Sequence, residues 1–438
     1  MDCLLPKILV LYHYYSPDDV VSARHYADLC ESLVQRGHTV ETWPGNRACH
    51  DACVSYSTRP ETINGVTVKR VWRPALKQHS VVGRIVNSLW IQRAWKTRLR
   101  SSSYQPDVIL IGTDPILALS CAPVLKVLRP QAKIVHWCFD LYPEAAVADG
   151  MLGEGSKIIA GAHERMAKGY ASCSLVANLG PCMAERLKSY PVGKQTTLTP
   201  WALQEPAEPL PLGKDERKEL FGAEPSGDAS AGSGISARPV QGSPFGVKAS
   251  GQGAEAPLAL LYSGNLGRAH EFYLTLKLSQ LMKEEGAVFC YAARGGRMEA
   301  LRKAHNPEYT NVRFGTFAPE NELEVRLAAP DVHIVSLRTG WTGVVMPSKF
   351  FGALAVGRPV LFEGDEHCSI ARWIREYKVG WVLTTSSLET VKNDLLKFSK
   401  SAKQKSEMFK RCHQVYSQYF SKKVVLEAWE KELKAILP

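Results

Sequence analysis

Read from the N-terminus, the chain alternates continuous apolar runs with stretches whose apolar residues recur every three or four positions. Lys7–Tyr12 is an unbroken Ile/Leu/Val run. Ala23–Arg36 carries Tyr26, Leu29, Leu33 and Val34 on one helical face and is followed by Gly37, which suits the left-handed position after a helix. His38–Trp43, Asp107–Ile111, Lys133–Phe139 and Ser174–Asn178 read as further strands, with a helix over Ile116–Leu128. These runs lack period-two alternation, so both faces of the strands are expected to be covered, as in a parallel sheet.

From Leu258 the alternation restarts. Strands at Leu258–Tyr262, Val288–Ala292, Val312–Gly315, Val332–Ser336 and Pro359–Phe362 alternate with helices over Phe272–Lys283, Arg297–His305, Asn321–Ala328, Ser348–Val356 and Ile370–Tyr377. The stretch Leu388–Leu437 is helical throughout, and no internal repeat is visible. The pattern predicts an α/β protein with two doubly wound, Rossmann-like domains. A length of 438 residues agrees, since one core rarely serves so long a chain. We place the first domain at 1–200, a linker at 201–257, the second domain at 258–403 and closing helices at 404–438, which are expected to cross back onto the first domain. Within the linker, 222–257 is rich in Gly, Ser, Ala and Pro and too poor in large apolar residues to offset its ordering entropy, so a disordered insertion is expected there.

Composition narrows the class. With 45% hydrophobic and 22% charged residues the chain reads as soluble and globular. Lys and Arg number 54 against 43 Asp and Glu, and the resulting +11 favours anionic partners. The first apolar run reaches Asp18 without a small-residue cleavage site, so a buried strand is expected there rather than a signal peptide. The longest apolar stretch, Val108–Val127, is interrupted by Asp114, Pro115 and Pro123 and falls short of the ~20 residues that span a bilayer. A cytoplasmic location is expected. Eleven scattered cysteines read as reduced thiols, and Cys49-His50-Asp51-Ala52-Cys53 lacks a second ligand pair, so no metal is expected.

Two turns carry candidate chemistry. Tyr262-Ser-Gly-Asn-Leu-Gly-Arg-Ala-His270 joins a strand to a helix, and Gly264 and Gly267 can expose backbone N–H groups to a diphosphate. In Met346–Leu361, Pro347-Ser348 opens a helix that Gly357-Arg358-Pro359 ends; its N–H groups, the Ser348 hydroxyl and the Lys349 ammonium suit a pyrophosphate leaving group. In the first half, Asp140 and Glu144 follow a strand end, where a carboxylate orients an acceptor hydroxyl, takes its proton, or caps the helix around Pro143. Asp18, Asp19 and Arg24 share that placement, while His13, His25 and His136 are expected to be packed core residues. Between Val81 and Arg100, Val82, Ile85, Val86, Leu89 and Trp90 lie near one another with Arg84, Arg93, Lys96, Arg98 and Arg100 beside or beyond them, a pattern suited either to an anionic membrane surface or to a helix with a basic exposed face.

The segments Tyr262–Gly267, Asn311–Phe317 and Val345–Leu361 resemble the donor half of family 4 retaining glycosyltransferases, in the branch that builds bacterial surface polysaccharides such as capsule, O-antigen and exopolysaccharide. Tyr14–Asp18, Arg36–Val40 and Asp140–Glu144 are similar to that branch too, and the likeness covers nearly the whole chain apart from the insertion. It implies the GT-B fold, two Rossmann-like domains facing a central cleft, with a nucleotide-diphosphate sugar as substrate and no cofactor. On that resemblance Gly264, Asn265 and Arg268 face the diphosphate and sugar, with Gly267 in the same turn. Arg294, Gly295 and Gly296 line the nucleotide, Thr316 or Phe317 lies against the base, Ser348 and Lys349 hold the phosphates, and Gly343 lets the backbone approach the sugar.

The chain departs from the family in lacking its Glu pair. The matching positions are Val344 and Gly352, which leaves Glu363, Glu366 and Glu376 as candidate replacements. The family's paired Gly in the first loop is Val20-Val21, and its frequent His after the fourth strand gives way to Gly112-Thr113-Asp114. The implied reaction is transfer of a hexosyl group with retention to an acceptor hydroxyl on a saccharide or a polyprenyl-diphosphate-linked saccharide. Arg268 and Lys349 stabilise the departing diphosphate, Asp140 serves the acceptor side with Asp18, Arg24 and Glu144, and a β-phosphate oxygen takes the proton. A nucleotide-sugar epimerase of the same fold and a non-catalytic nucleotide-sugar or nucleic-acid binding protein are the alternatives. No nucleic-acid partner is expected, because no RNA-binding pattern occurs.

Overall fold

The computed structural model describes residues 5–18, 20–78, 80–222, 257–317 and 323–437. Asp19, the first residues of the helix expected at Asn321 and nearly all of the insertion expected at 222–257 lie outside the described residues. The chain forms two compact units. The first comprises Met1–Leu203, Thr339–Ser348 and Tyr419–Pro438, and the second Gln204–Arg338 and Lys349–Gln418.

Unit 1 runs β1 (Lys7–Leu11), α1 (Val21–Gln35), β2 (Thr39–Thr42), β3 (Glu61–Ile63), β4 (Val66–Val68), α2 (Val81–Ser101), β5 (Val108–Ile111), α3 (Ala122–Leu128), β6 (Lys133–Trp137), α4 (Glu144–Ala148), α5 (Lys157–Ala171), β7 (Leu175–Asn178), α6 (Pro181–Leu187) and β8 (Gln195–Thr197). Its sheet has the order β3-β4-β2-β1-β5-β6-β7-β8 and is parallel except for the β3–β4 hairpin. That hairpin closes on Asn64-Gly65, both with positive φ (48° and 83°), the conformation that matches a tight turn to strand twist. The central strands β1, β5, β6 and β7 are almost wholly buried, as their unalternating apolar runs require. The helix expected over Ile116–Leu128 is shorter: a 3-10 turn at Ala118–Cys121 precedes α3, because Pro123 is tolerated only in a first helical turn.

Unit 2 runs α7 (Lys214–Phe221), β9 (Leu258–Asn265), α8 (Tyr273–Leu281), β10 (Ala287–Arg294), α9 (Met298–Ala304), β11 (Val312–Gly315), α10 (Leu323–Ala328), β12 (Val332–Ser336), α11 (Lys349–Ala355), β13 (Val360–Glu363), α12 (Ser369–Tyr377), β14 (Gly380–Leu383), α13 (Leu388–Ser399) and α14 (Ala402–Val415). The sheet order is β11-β10-β9-β12-β13-β14, all parallel. Buried ions are tied down: Arg217 donates to Asp331 at 2.7 Å, and the Arg358 guanidinium donates to five carbonyls, those of Leu210, Ala328, Pro330, Val356 and Gly357. Arg358 is thus a structural clasp after α11.

The closing helices divide at a different point from the expected 404. Helix α14 belongs to unit 2, and the chain rejoins unit 1 at Tyr419. There α15 (Lys422–Ile436) packs Trp429 edge-on to Trp137 at 5.3 Å, and its flanks pair Glu430 with Arg36 and Glu432 with Lys194.

In both sheets the strand order reverses beside the first strand, between β1 and β5 and between β9 and β12. Loops leaving the carboxyl ends of such strands diverge to opposite faces and open a crevice, where ligands of doubly wound sheets bind.

Candidate active site

In unit 2, β9 and β10 pair in register out to Asn265 opposite Arg294, so both strands end side by side at the carboxyl edge. The chain turns there at Gly264 (φ 113°) and Gly295 (φ 128°), values that side-chain-bearing residues rarely adopt. A Cβ on Gly295 would stand 2.4 Å from Asn265 Oδ1, and one on Gly264 would stand 3.0 Å from Lys349 Cε. The two glycines therefore let Asn265 and Lys349 close in. Gly267 lies beside them, its added Cβ 3.2 Å from Asn265 Nδ2. On the β11 side, the Arg294 guanidinium lies 4.2 Å from the centre of the Phe317 ring, which is 42% exposed. The pair forms an exposed ledge of the kind on which a planar base can stack.

Lys349, the first residue of α11, donates from Nζ to the Asn265 carbonyl at 3.0 Å and sits 5.1 Å from the Tyr262 ring. Tyr262 donates to the same carbonyl at 3.0 Å. Among the described residues no carboxylate pairs with this ammonium, and burial pulls it down to about 8. His270, whose Nδ1–H donates to Ser336 O at 2.8 Å, is held neutral, lowered to about 3 by burial and by Lys349. Arg268 is exposed, and its carbonyl accepts from Arg338 at 3.3 Å. Lys349, Arg268, Asn265, Arg294, Gly264, Gly267, Gly295 and Phe317 thus gather at one edge.

The replacement carboxylates are engaged elsewhere or lie at the other edge. Glu363 is buried and accepts from the N–H groups of Leu274 (2.8 Å) and Thr275 (3.0 Å) and from the Thr275 hydroxyl (2.5 Å), so it caps the start of α8. Glu366 is paired with Arg375 at 2.9 Å. Glu376, expected to bind donor, is misplaced for that role. It lies in the last turn of α12, which leads into the start of β14 and so sits at the amino edge of the sheet, opposite the donor residues. Gly352 is inside α11 and faces Leu327 at 3.6 Å.

The segment Thr339–Ser348 belongs to unit 1, where Leu141 N–H donates to Val344 O at 2.9 Å and Asp140 bridges Val345. Gly343 is buried with φ 75°, and a Cβ would stand 2.6 Å from the Cys182 carbonyl. The need for glycine at 343 comes from packing on α6 rather than from approach to a sugar. Ser348 is half-buried and directly precedes α11.

At the carboxyl edge of unit 1, His13 follows β1 and Asp114 follows β5, the two strands of the reversal. His13 is buried; it donates from Nδ1 to Asp114 Oδ1 at 3.1 Å and from its backbone N–H to Asp114 O at 3.0 Å. The packing expected for His13 is present, but the carboxylate partner 101 residues away was not foreseen. The signal lay in topology: both residues leave strands adjacent at the switch point. Asp140, after β6, is raised to about 6 by burial and by Asp114, against the pull of Arg84. Arg84 donates to Tyr142 OH at 2.8 Å.

Two further acceptor-side expectations, Asp18 and Glu144, meet other duties. Asp18 is buried, with both carboxylate oxygens accepting from Cys49 N–H at 3.2 and 3.0 Å, so it closes a loop. Glu144 opens α4 and accepts from Tyr190 OH at 2.6 Å, which also contacts His163 Nδ1 at 2.6 Å. Arg24 is half-buried in the first turn of α1.

No family model matches the chain. In sequence it is 26% identical over 285 residues to the protein named as glycosyltransferase WbjE of Pseudomonas aeruginosa, covering 64% of this chain and 63% of that one. It is also 26% identical over 114 residues to the colanic acid biosynthesis glycosyl transferase WcaI of Escherichia coli, 26% of this chain and 28% of that one. Each match thus spans less than two thirds of the relative. Among solved structures, sucrose-phosphate synthase from Thermosynechococcus elongatus superposes with a TM-score of 0.67 at 12% identity, covering 98% of this chain and 99% of that one. WaaG, a glycosyltransferase involved in lipopolysaccharide biosynthesis, gives 0.60 at 14% identity over 97% and 99%. Anabaena HepE in complex with UDP gives 0.59 at 10% identity over 98% and 100%. The architecture is the GT-B fold of glycosyltransferases. In sequence as well, the chain is similar to proteins named for sugar transfer.

Proposed function

We propose that the protein transfers a hexosyl group from a nucleotide-diphosphate sugar to an acceptor hydroxyl, with retention of anomeric configuration. One observation carries the reading: a half-buried ammonium, Lys349, without a carboxylate partner among the described residues, set against two glycine turns at the switch point of a Rossmann-like sheet. A diphosphate supplies the charge that Lys349 lacks. As the sugar–phosphate bond lengthens, Lys349 and Arg268 stabilise the charge growing on the leaving oxygen. Retention follows if that phosphate oxygen takes the acceptor proton on the face it is leaving. Asp140 orients the acceptor hydroxyl, a task suited to a carboxylate raised to about 6. The Phe317–Arg294 ledge supports the base, and no cofactor is called for. HepE was crystallised with UDP, so uridine-linked sugars are the first donors to try. The naming of WcaI for colanic acid and of WaaG for lipopolysaccharide supports a surface polysaccharide as product and a lipid-linked saccharide as acceptor, met at the cytoplasmic face of a membrane.

The test is a panel of nucleotide sugars read by thermal shift, followed by nucleotide diphosphate release with a polyprenyl-diphosphate saccharide. A donor at 100 times its Kd is expected to stabilise by about 2.7 kcal/mol. Acceptor-dependent release, and an equatorial anomeric proton signal (small coupling to H2) in the product of an axially linked donor, are the expected outcomes. No shift and no release across uridine, guanosine and thymidine donors would overturn the reading.

A further inference from the structure

The surface beside the acceptor edge of unit 1 is apolar where a water-facing helix is ordinarily polar. In the first half of α2, Val82 (71% exposed), Ile85 and Leu89 (60%) recur at spacings of three and four, Val86 and Trp90 follow Val82 at spacings of four, and all are exposed, joined by Trp72 and Leu76 from the preceding loop. The helix is firmly seated. Ser80 caps it by accepting from Gly83 N–H at 3.2 Å, Asn87 donates to Leu76 O at 2.8 Å, and Trp95 donates to Trp43 O at 2.7 Å. Trp90 meets Trp72 edge-on at 5.1 Å and donates to its carbonyl at 2.9 Å, which fixes two exposed indoles side by side. A contiguous apolar patch of this kind marks an interaction surface.

The charge around it is of one sign. Residues 62–106 hold nine Lys or Arg and no Asp or Glu. The basic groups expected beside the helix divide in two. Arg98 is turned inward onto the carbonyls of Lys69 and Arg70 and over Trp43 and Lys96 is half-buried, whereas Arg84, Arg93 and Arg100 are exposed, as is Lys77 in the preceding loop. A second copy docking symmetrically on this face would set the exposed Lys77, Arg84, Arg93 and Arg100 of one copy against those of the other. An anionic bilayer offers phosphates to the cations, acyl chains to the valines and leucine, and an interface in which indoles are favoured. Among the described residues no helix is long and apolar enough to cross a membrane.

We propose that the first half of α2, together with Trp72 and Leu76, is a platform that inserts side-chain deep into the anionic face of a bilayer. Arg84 of the same helix holds Tyr142, two residues beyond Asp140, so the platform ends next to the acceptor loop. A saccharide linked to a lipid in that bilayer is thereby presented to the Asp114–Asp140 edge. This last step rests on the transferase reading; insertion itself does not.

The experiment is co-sedimentation of the full chain with phosphatidylethanolamine–phosphatidylglycerol vesicles and with phosphatidylcholine vesicles, without donor. Wild type is expected to bind the anionic vesicles, and Val82→Ser/Leu89→Ser to bind roughly tenfold or more weakly at both low and high salt. Arg93→Glu is expected to weaken binding at low salt only. All three sites of change are exposed, so circular dichroism should be unchanged. Equal binding by the double serine variant and wild type would overturn the proposal. So would a wild-type dimer that fails to bind vesicles and that the double variant dissolves, since that outcome assigns the face to a second copy. Vesicle binding without any donor-induced thermal shift would leave the platform standing and remove the transferase reading.

Discussion

The carboxyl edges of the two sheets share a topology and differ in chemistry. In unit 2 the groups that meet there are cations and glycine backbone, Lys349, Arg294 and Arg268 around Gly264 and Gly295. In unit 1 they are carboxylates, Asp114 clamped by His13 and Asp140 beyond it. One physical cause, burial, acts on both with opposite sign: it lowers Lys349 to about 8 and raises Asp140 to about 6. Each edge so holds one group whose charge changes close to neutral pH, which is where proton and leaving-group chemistry is most responsive. The fold determines where chemistry occurs, and a few loop residues determine which.

Three changes separate the edges experimentally. Lys349→Met has the largest expected effect, lowering kcat by about 10²–10³ through loss of leaving-group stabilisation. The same variant should be more stable at pH 7, by roughly 1–2 kcal/mol, because wild type holds a partly buried charge there. The sign follows from the pKa values. An unfolded lysine titrates near ~10.4 and the folded one at about 8, so the unfolded chain binds more protons between them. Wild-type stability therefore rises with pH across that window, and the variant's does not. Urea unfolding at pH 7 and pH 10 measures this, and a variant less stable than wild type at pH 7 would refute the burial account. Next, Asp140→Asn should lower kcat/KM by about 10²-fold. Wild-type activity should fall as pH drops through about 6, where Asp140 takes up a proton, and that acid limb should vanish in the variant. Its persistence would assign the limb elsewhere. The smallest effect is expected from Phe317→Ala, about a three- to fivefold rise in donor KM with kcat unchanged, as suits loss of an exposed ring under a guanidinium. A fall in kcat instead would place Phe317 nearer the reacting atoms than a ledge for the base.

Where chemistry depends on neighbours along the chain, it was legible. The glycines at 264, 267 and 295, the Ser348-Lys349 helix start and the Asp140 strand end all sit at strand or helix termini that apolar periodicity locates. What escaped was set by distance or by orientation. His13 and Asp114 meet only because β1 and β5 are neighbours, and Glu363 spends its charge on a helix that begins about ninety residues earlier, at Tyr273. Glu376 sits in the last turn of α12, which runs into the start of β14, so its sheet edge follows from the direction of the helix and not from its spacing to the glycine turns. The β3–β4 hairpin had its marker, Asn64-Gly65, but its three-residue strands are too short to show a period. Helix α2 is apolar toward the core at Ile91, Trp95 and Leu99 and apolar toward solvent at Val82, Ile85 and Leu89, so periodicity alone gives no single buried side.

The passage of the chain between units has a consequence for engineering. It changes unit after Leu203, Arg338, Ser348 and Gln418. A hybrid enzyme made by one splice near Leu203 would import foreign residues at 339–348, where Val344 and Val345 line up with Leu141 and Asp140, and a foreign final helix against Trp137. Exchanging unit 2 between relatives therefore calls for two grafts, Gln204–Arg338 and Lys349–Gln418, with the ten residues from Thr339 to Ser348 and the tail from Tyr419 inherited from the same parent as the first 203 residues.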